Sequence, residues 1–489
     1  MPVHLRKHTD FNMPQICGAT NDKGGLIALL DYLLVESQFS KTCTITRSGT
    51  TATITVAGGH GYGTNCNSNT RYITVSGATE TEYNLTAALA TITGTETMTY
   101  TVADNAQASP ATGTISVRLA GRAISALTHS TTTAEATCVA HGLGSTGDFA
   151  YLTISGSDKA EYNLVNTKVT IVDADTFTYT VENNAQGASA GSPEWKMAAA
   201  GWSKTSIDTN KAAYRMPSGT AQFYLYADDD VNAMWTDLNG CESLGGDGLT
   251  PTTKFPVYTA SHSYSFAFVK ANTSYTENKD WTFASNGKCF YLQAKPRDVS
   301  AQYYGCGMFF GEFSSVCPSD TTPVCLIANS ESTSIASSRA IANIYNRSSL
   351  AALNTSQAVN SVNSGHIFAR LNNSAGSAVP VFKAIPLFLN AAAANIGSSS
   401  TNPTATTDTL NGSLIYLMEP GSAYGGVAAN AIHRGFLPGM MAPLHPAAGF
   451  YNGQIMEGNG DYSGKKWIVL DSSATSTDSI IALETSDTW

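Results

Sequence analysis

TITVAGGHGYG (53–63), YITVSGATETEYNL (72–85) and MTYTVADNAQASPATGT (98–114) are followed along the chain by EATCVAHGLGS (135–145), YLTISGSDKAEYNL (151–164) and FTYTVENNAQGASAGS (177–192). The second set copies the first. His60-Gly61 matches His141-Gly142, the Gly77 turn matches Gly156, and Glu82-Tyr83-Asn84-Leu85 matches Glu161-Tyr162-Asn163-Leu164. Tyr83 and Tyr162 stand 79 residues apart, as do Tyr100 and Tyr179, whereas His60 and His141 stand 81 apart. The first copy therefore carries two extra residues, which fit the loop between Asn65 and Thr70.

Each copy alternates Thr, Val, Ile and Tyr between clusters of Gly, Asn, Asp and Ser, and no window holds a helical period. Alternation such as Tyr72-Ile-Thr-Val or Phe177-Thr-Tyr-Thr-Val turns one face to a core and the other to water, as in an antiparallel sheet. The shared Tyr-Asn reads as a turn whose Tyr packs back on the sheet and whose Asn supplies backbone hydrogen bonds. His60, Tyr83, Asn84, His141, Tyr162 and Asn163 are the signature of the repeat. A His-Gly that occurs twice is a turn element before it is a pair of catalytic bases.

Outward from the repeat, residues 1–40 give an extended arm and a short amphipathic helix starting near Asn21-Asp22, with Leu26, Ile27, Leu29, Leu30, Leu33 and Leu34. Beyond Ala200, strands are expected at 221–226, 263–269, 281–283, 289–292, 307–313, 323–327, 367–371, 414–418 and 466–470. Asn286-Gly287 between two apolar runs is a hairpin signal. Residues 391–412 read as a long polar loop. A length of 489 residues predicts roughly three domains at about 150 residues each. The expected class is mainly β: a discontinuous β-sandwich-like main domain with a short N-terminal helix and two inserted tandem small β modules. The expected divisions are 1–40, packing on the main domain, 41–120 and 121–199 as the modules, and 200–489 as the main domain.

Charged residues are 13% of the chain, against about 25% in ordinary domains. With 27 basic and 37 acidic residues and no basic block, a nucleic-acid groove is not expected. The apolar run Gly25–Val35 is interrupted by Asp31 and is about half of a membrane span, and no secretory signal is visible at Met1–Asp10. The expectation is a protein made in a reducing compartment, with no membrane partner. Nine cysteines lack a CxxC pair, so no zinc ribbon is expected. Cys43, Cys66 and Cys138 lie in or beside module strands that look exposed, and are candidates for cross-links between neighbouring subunits.

Other chemistry is sparse. Gly58–Gly63 lacks the Lys-Ser/Thr and the helix of a phosphate cradle. Asp228-Asp229-Asp230 offers carboxylates for calcium but no EF-hand spacing, and a solvated strand end is the plainer reading. His433 and His445 flank Arg434 without a nucleophile elbow or HExxH. Trp195, Trp202, Trp235 and Trp281 would serve as a sugar platform or as core. No catalytic residue, metal ligand or cofactor site is expected.

The opening Gly25–Val35 resembles the start of a group of bacteriophage virion structural proteins encoded among head and tail genes, in which a similar helix precedes a His-Gly, Gly-turn, Tyr-Asn β module. Further landmarks are similar: Ala200–Lys204, Asn210–Arg215, Tyr224–Asp229, Asn286–Leu292, Phe309–Phe313, Arg434–Gly439, Leu444-His445 and Gly464–Trp467. The likeness covers most of the chain in short motifs, none of them catalytic. It departs by carrying two modules where one is usual. It implies a virion component of the tail, neck, collar or baseplate, partnered by copies of itself and other virion proteins, with Leu29 and Leu33 as contact residues on the helix. The competing expectations are a receptor- or glycan-binding spike that meets a host surface glycan, and a carbohydrate-active enzyme.

Overall fold

Alternation along the first copy buries Ile45, Ile54, Ile73, Val75 and Met98 while Thr44, Thr46, Thr51 and Thr91 face water. In this computed structural model the described residues are 3–16, 24–35, 40–62, 70–103, 108–182, 187–208, 210–217, 222–229, 235–255, 266–270, 279–296, 306–330, 366–369, 381–382, 384–386, 409–410, 412–419, 432–443, 453–458, 462–471, 480–485 and 489. Cys66, Asp230, His445 and the 391–408 part of the polar loop lie outside them. The protein is mainly β, built largely of antiparallel sheets, with one α-helix, near the amino end, among the described residues.

The first module is a seven-stranded sheet in the spatial order Thr44–Ser48, Thr51–Thr55, Thr97–Thr101, Leu85–Ile92, Thr70–Ala78, Gly113–Leu119, Lys41–Thr42. The second repeats that order with Ala126–Ser130, Thr133–Thr137, Thr176–Thr180, Leu164–Ile171, Phe149–Ser155, Glu194–Met197 and Arg122–Ala123. Each sheet curls toward closure, because Ala111 N donates to Ile45 O in one copy and Ser189 N to Leu127 O in the other. Each also bulges at the same place. Ala87 and Asn166 take left-handed φ of 51° and 53°, and their amides donate to the Thr74 and Thr153 hydroxyls at 3.4 Å. Gly77 and Gly156, with φ of 87° and 85°, pass so close to the Thr114 and Ser192 carbonyls that a Cβ would collide with them. Only glycine fits both turns.

The repeat signature serves the backbone. His60 Nε2 donates to Gly94 O at 2.8 Å and Nδ1 accepts from Tyr62 N at 3.0 Å; His141 does the same with Asp173 O and Leu143 N at the same distances. One nitrogen must carry the proton and the other must not, so each ring is a neutral clasp between two loops. Asn84 accepts from Ala78 N and donates to Ala78 O, and Asn163 does so with Ser157. The Tyr100 and Tyr179 hydroxyls reach back to the Tyr83 and Tyr162 carbonyls.

The division at the amino end differs from the one expected. His4–Ile16 and Gly24–Gly201 form one unit, and Trp202–Trp489 makes the body of the other. The arm goes with the modules because its side chains are bonded to them, and the helix because Leu33 O accepts from Ala200 N at 2.9 Å. That helix, Gly25–Leu30 continued by a π turn over Asp31–Val35, begins at Gly24, and Leu26–Leu30 with Tyr32–Leu34 are all buried. It is therefore a core helix, buried all round rather than amphipathic.

In the second unit, antiparallel strands lie in the order Lys279–Ser285, Cys289–Pro296, Cys306–Glu312, Val324–Ser330, Phe266–Val269, Trp235–Leu244, Tyr224–Asp228, Lys211–Arg215, Ser203–Asp208. The Asn286-Gly287 hairpin forms, with Asn286 Oδ1 accepting from the Lys288 and Cys289 amides. Trp202 donates to Gly287 O at 2.9 Å and sets its ring edge-on to Phe290 and Phe310. Ser314–Ser315 pairs with Ile432–Pro443 and leads to a further sheet with Gly412–Glu419, Ile480–Glu484, Lys466–Asp471 and Ile455–Gly458. There Arg434 grips Asp320 through both Oδ atoms, at 2.9 and 3.1 Å, over the Phe313 ring.

Burial holds the His60 pKa below the ordinary 6.5 and pushes that of His4, beside Arg6, down to about 3. A base whose folded pKa is depressed leaves the unfolded chain binding more protons, so its contribution is complete above pH 6.5 and drains as pH falls below it. Asp10, raised above 3.8 by burial, acts oppositely, favouring the fold at low pH and losing that contribution as pH rises. His60→Ala should cost about 1–3 kcal/mol by stranding the Gly94 carbonyl and the Tyr62 amide. Chemical denaturation between pH 7 and 5 should also show a shallower pH dependence in the variant than in the parent; an equal slope would remove His60 from the titration.

Candidate functional site

A carbonyl oxygen has two lone pairs, and a sheet edge often uses only one. In the first module Ala120 N donates to Tyr72 O at 2.9 Å, and in the second Ala198 N donates to Tyr151 O at 3.0 Å. Tyr72 and Tyr151 are the same position of the repeat. Both copies thus present a pair of carbonyls, Tyr72 with Ala120 and Tyr151 with Ala198, beside a tyrosine ring.

The arm fills both. Asn12 Nδ2 donates to Tyr72 O and Ala120 O at 2.9 Å each, while Asn12 Oδ1 accepts from Tyr72 N at 2.9 Å. Arg6 Nη2 donates to Tyr151 O at 3.1 Å and Ala198 O at 2.6 Å. A ring accompanies each donor. Phe11 stacks on Tyr72 with centroids 5.4 Å apart at 19°, and His4 lies 5.1 Å from Tyr151 at 37°. One short arm therefore applies the same two-part grip, a donor on the carbonyl pair and a ring on the tyrosine, to both copies.

Local sequence sets this spacing. His4–Lys7 is a strand, so His4 and Arg6 point to one side. The chain then reverses at a turn in which Lys7 N donates to Asp10 Oδ2 and Asp10 N to Lys7 O. Asn12, at a left-handed φ of 61°, turns its carboxamide onto the first module. Burial pushes the Arg6 guanidinium down to about 10, opposed by Asp10 and Tyr32, so it stays protonated at neutral pH. Hydrogen bonds from a charged donor contribute about 1.5–3 kcal/mol, against about 1 for the neutral Asn12.

Further contacts lock the unit. Arg122 lies 5.7 Å over Phe11 and donates to the Val139, Ala140 and His141 carbonyls, tying the arm to the His-Gly loop of the second module. Arg118 of the first module pairs with Glu194 of the second at 2.6 Å, and Glu194 also accepts from Gly121 N. Trp195 packs at 6.2 Å from Phe11 and donates to Cys138 Sγ at 3.2 Å. The chemistry visible at this site is hydrogen bonding and ring packing between the chain's own arm and its two modules.

The residues singled out from the sequence fall elsewhere. Leu29 and Leu33 are buried within the chain, as are Cys43 and Cys138, so none of the four presents a contact surface. Cys43 and Cys138 flank their strands at inward positions, which does not fit cross-linking through these two, while Cys66 lies outside the described residues. Cys317 is the exposed free cysteine among the described residues; the Ser319 hydroxyl and backbone amide hold its thiol below 9.0. Asp228 bonds Lys211 and Tyr226, and Asp229 bonds Lys270 and Thr236, so these two carboxylates are engaged with other side chains. Among the described residues no group of three His, Cys, Asp or Glu could hold a metal, and no helix is long and apolar enough to cross a membrane. Trp195, Trp202 and Trp281 are core side chains, not an exposed sugar platform.

Sequence reasoning missed Arg6, Phe11 and Asn12 altogether. The repeated tyrosine at 72 and 151 was the available signal, since it recurs in the copies and is flanked alike. No protein-family model and no curated protein matches the chain.

Brief treatment of the native protein with a thiol alkylating reagent should modify Cys317 and spare Cys43, Cys138, Cys241, Cys289 and Cys325 until denaturant is added. Fast native labelling of Cys43 or Cys138 by peptide mass mapping would contradict their burial.

Proposed function

We propose that the chain is a structural component of a bacteriophage virion, of the tail, neck, collar or baseplate, and that it acts through repeated protein–protein contacts rather than by catalysis. The observation that carries this reading is the duplicated module with its twice-used arm grip: a device whose visible chemistry is the binding of polypeptide. The resemblance of Gly25–Val35 and of the motifs from Ala200 to Trp467 supports the same assignment.

Low charge suits this role. In a closed symmetric assembly each protomer repeats its contacts, and uncharged polar side chains such as the outward Thr and Ser of the module strands can be buried at low cost once paired. An unpaired charge in the same place would be costly. The partners are copies of this chain and other virion proteins, and the location is the particle. A glycan-binding spike draws less support, because Trp195, Trp202 and Trp281, which would stack on sugar rings, are buried.

Imaging of purified particles with an antibody against the two modules should place the chain at regular positions in a ring or disc at the neck or tail. Particles that lack the chain, with the protein recovered as a free monomer from lysates, would refute the assignment.

A further inference from the structure

Asp229 follows the strand Tyr224–Asp228, and Lys270 follows Phe266–Val269. Both strands pair with Trp235–Leu244, one on each side, with Asp228 opposite Asp237 and Trp235 opposite Val269. The two residues leaving these strands converge beside Thr236. Lys270 Nζ stands 2.6 Å from Asp229 Oδ1, and both side chains have zero exposure. Thr236, also fully buried, donates its hydroxyl to the same Oδ1 at 2.5 Å. Asp229 N donates to Asn210 O at 2.9 Å, which fixes the backbone of the acid. Phe268 and Leu238 nearby are fully buried.

We propose that Lys270 and Asp229 condense into an isopeptide bond, a covalent cross-link within the sheet that this side-chain arrangement makes autocatalytically. The step begins with the passage of one ammonium proton from Nζ to Oδ2, which leaves a lone pair on nitrogen. The desolvated neutral amine is a nucleophile. It attacks Cγ, to which the short Nζ–Oδ1 contact already holds it, so the bimolecular encounter is replaced by a fixed one. Negative charge develops on Oδ1, where the Thr236 hydroxyl is already aimed. The second Nζ proton moves to the Oδ2 hydroxyl, which departs as water. One N–C bond forms, one C–O bond breaks, one water is released, and nothing is oxidised or reduced.

The neighbouring pairs show what is special here. Lys211 and Asp228 meet at 3.3 Å with 28% and 15% side-chain exposure, so water reaches both groups and the contact is longer. Arg434 and Asp320 are buried, but a guanidinium is not a nucleophile under these conditions. Lys270 and Asp229 combine a lysine, a carboxyl and complete burial. Their bond would close a covalent loop between positions 41 apart and constrain the unfolded chain as a disulfide does, without depending on redox conditions.

The test is the intact mass of the full folded chain, followed by peptide mapping. The wild type should be one water lighter than its sequence, with the peptide containing Asp229 joined to the one containing Lys270. Lys270→Arg, which keeps the charge, should show its full sequence mass and no joined peptide. Thr236→Val should accumulate the joined form several-fold more slowly after refolding. Mapping the wild type alone decides the matter even if a variant fails to fold. A wild-type chain at full sequence mass overturns the proposal, as does loss of one water with the two peptides still separate, the pattern an aspartyl succinimide leaves.

Discussion

The unfilled lone pairs of two backbone carbonyls, present once in each module, are the constraint on which the N-terminal half of the molecule depends. A sheet that curls toward closure satisfies its own ladder but leaves acceptors at its rim. At Tyr72/Ala120 and Tyr151/Ala198 the arm reaches those acceptors, in a partly exposed contact at the first pair and a buried one at the second. The arm answers both with side-chain donors. Because the acceptors are main-chain atoms, duplication copied them whatever happened to the side chains around them. Two chemically different donors, a carboxamide and a guanidinium, could therefore come to serve equivalent sites.

The same logic runs through the repeat. Its retained side chains are those that bind backbone: the histidine clasp, the asparagine that closes the loop before it, the tyrosine hydroxyls that reach carbonyls. The outward faces of the module strands between them are rich in Thr and Ser. Charge is kept where geometry secures it, as in Arg118 with Glu194 and Arg434 with Asp320. Lys270 with Asp229 is the extreme case, where enclosure is complete enough to change what the two groups can do to each other.

Much of this architecture was legible in the sequence. Period-two alternation located the strands, Asn286-Gly287 marked its hairpin, and the spacing of Tyr83/Tyr162 exposed the duplication. What could not be read were relations between distant residues. Arg6 and Asn12 bind carbonyls, which carry no residue identity, so no motif announces them. The leucines of the helix suggested one apolar stripe, yet the helix is enclosed on all sides. Cys43 and Cys138 looked exposed because alternation gives a face only once register is known, and both sit just beyond a strand end where that count lapses. Asp229 was hidden in a run of three aspartates, distinguished from Asp228 only by a lysine 41 positions later.

The most direct measurement of the arm's grip is amide hydrogen exchange on the full chain and on two variants, Asn12→Ala and Arg6→Ala, followed segment by segment. Loss of Asn12 should raise exchange in residues 70–78 and leave 149–155 unchanged, and loss of Arg6 should do the reverse, since each donor serves one carbonyl pair. Unaltered protection of both segments in both variants would contradict the account, because the arm would then lie on the modules without holding them.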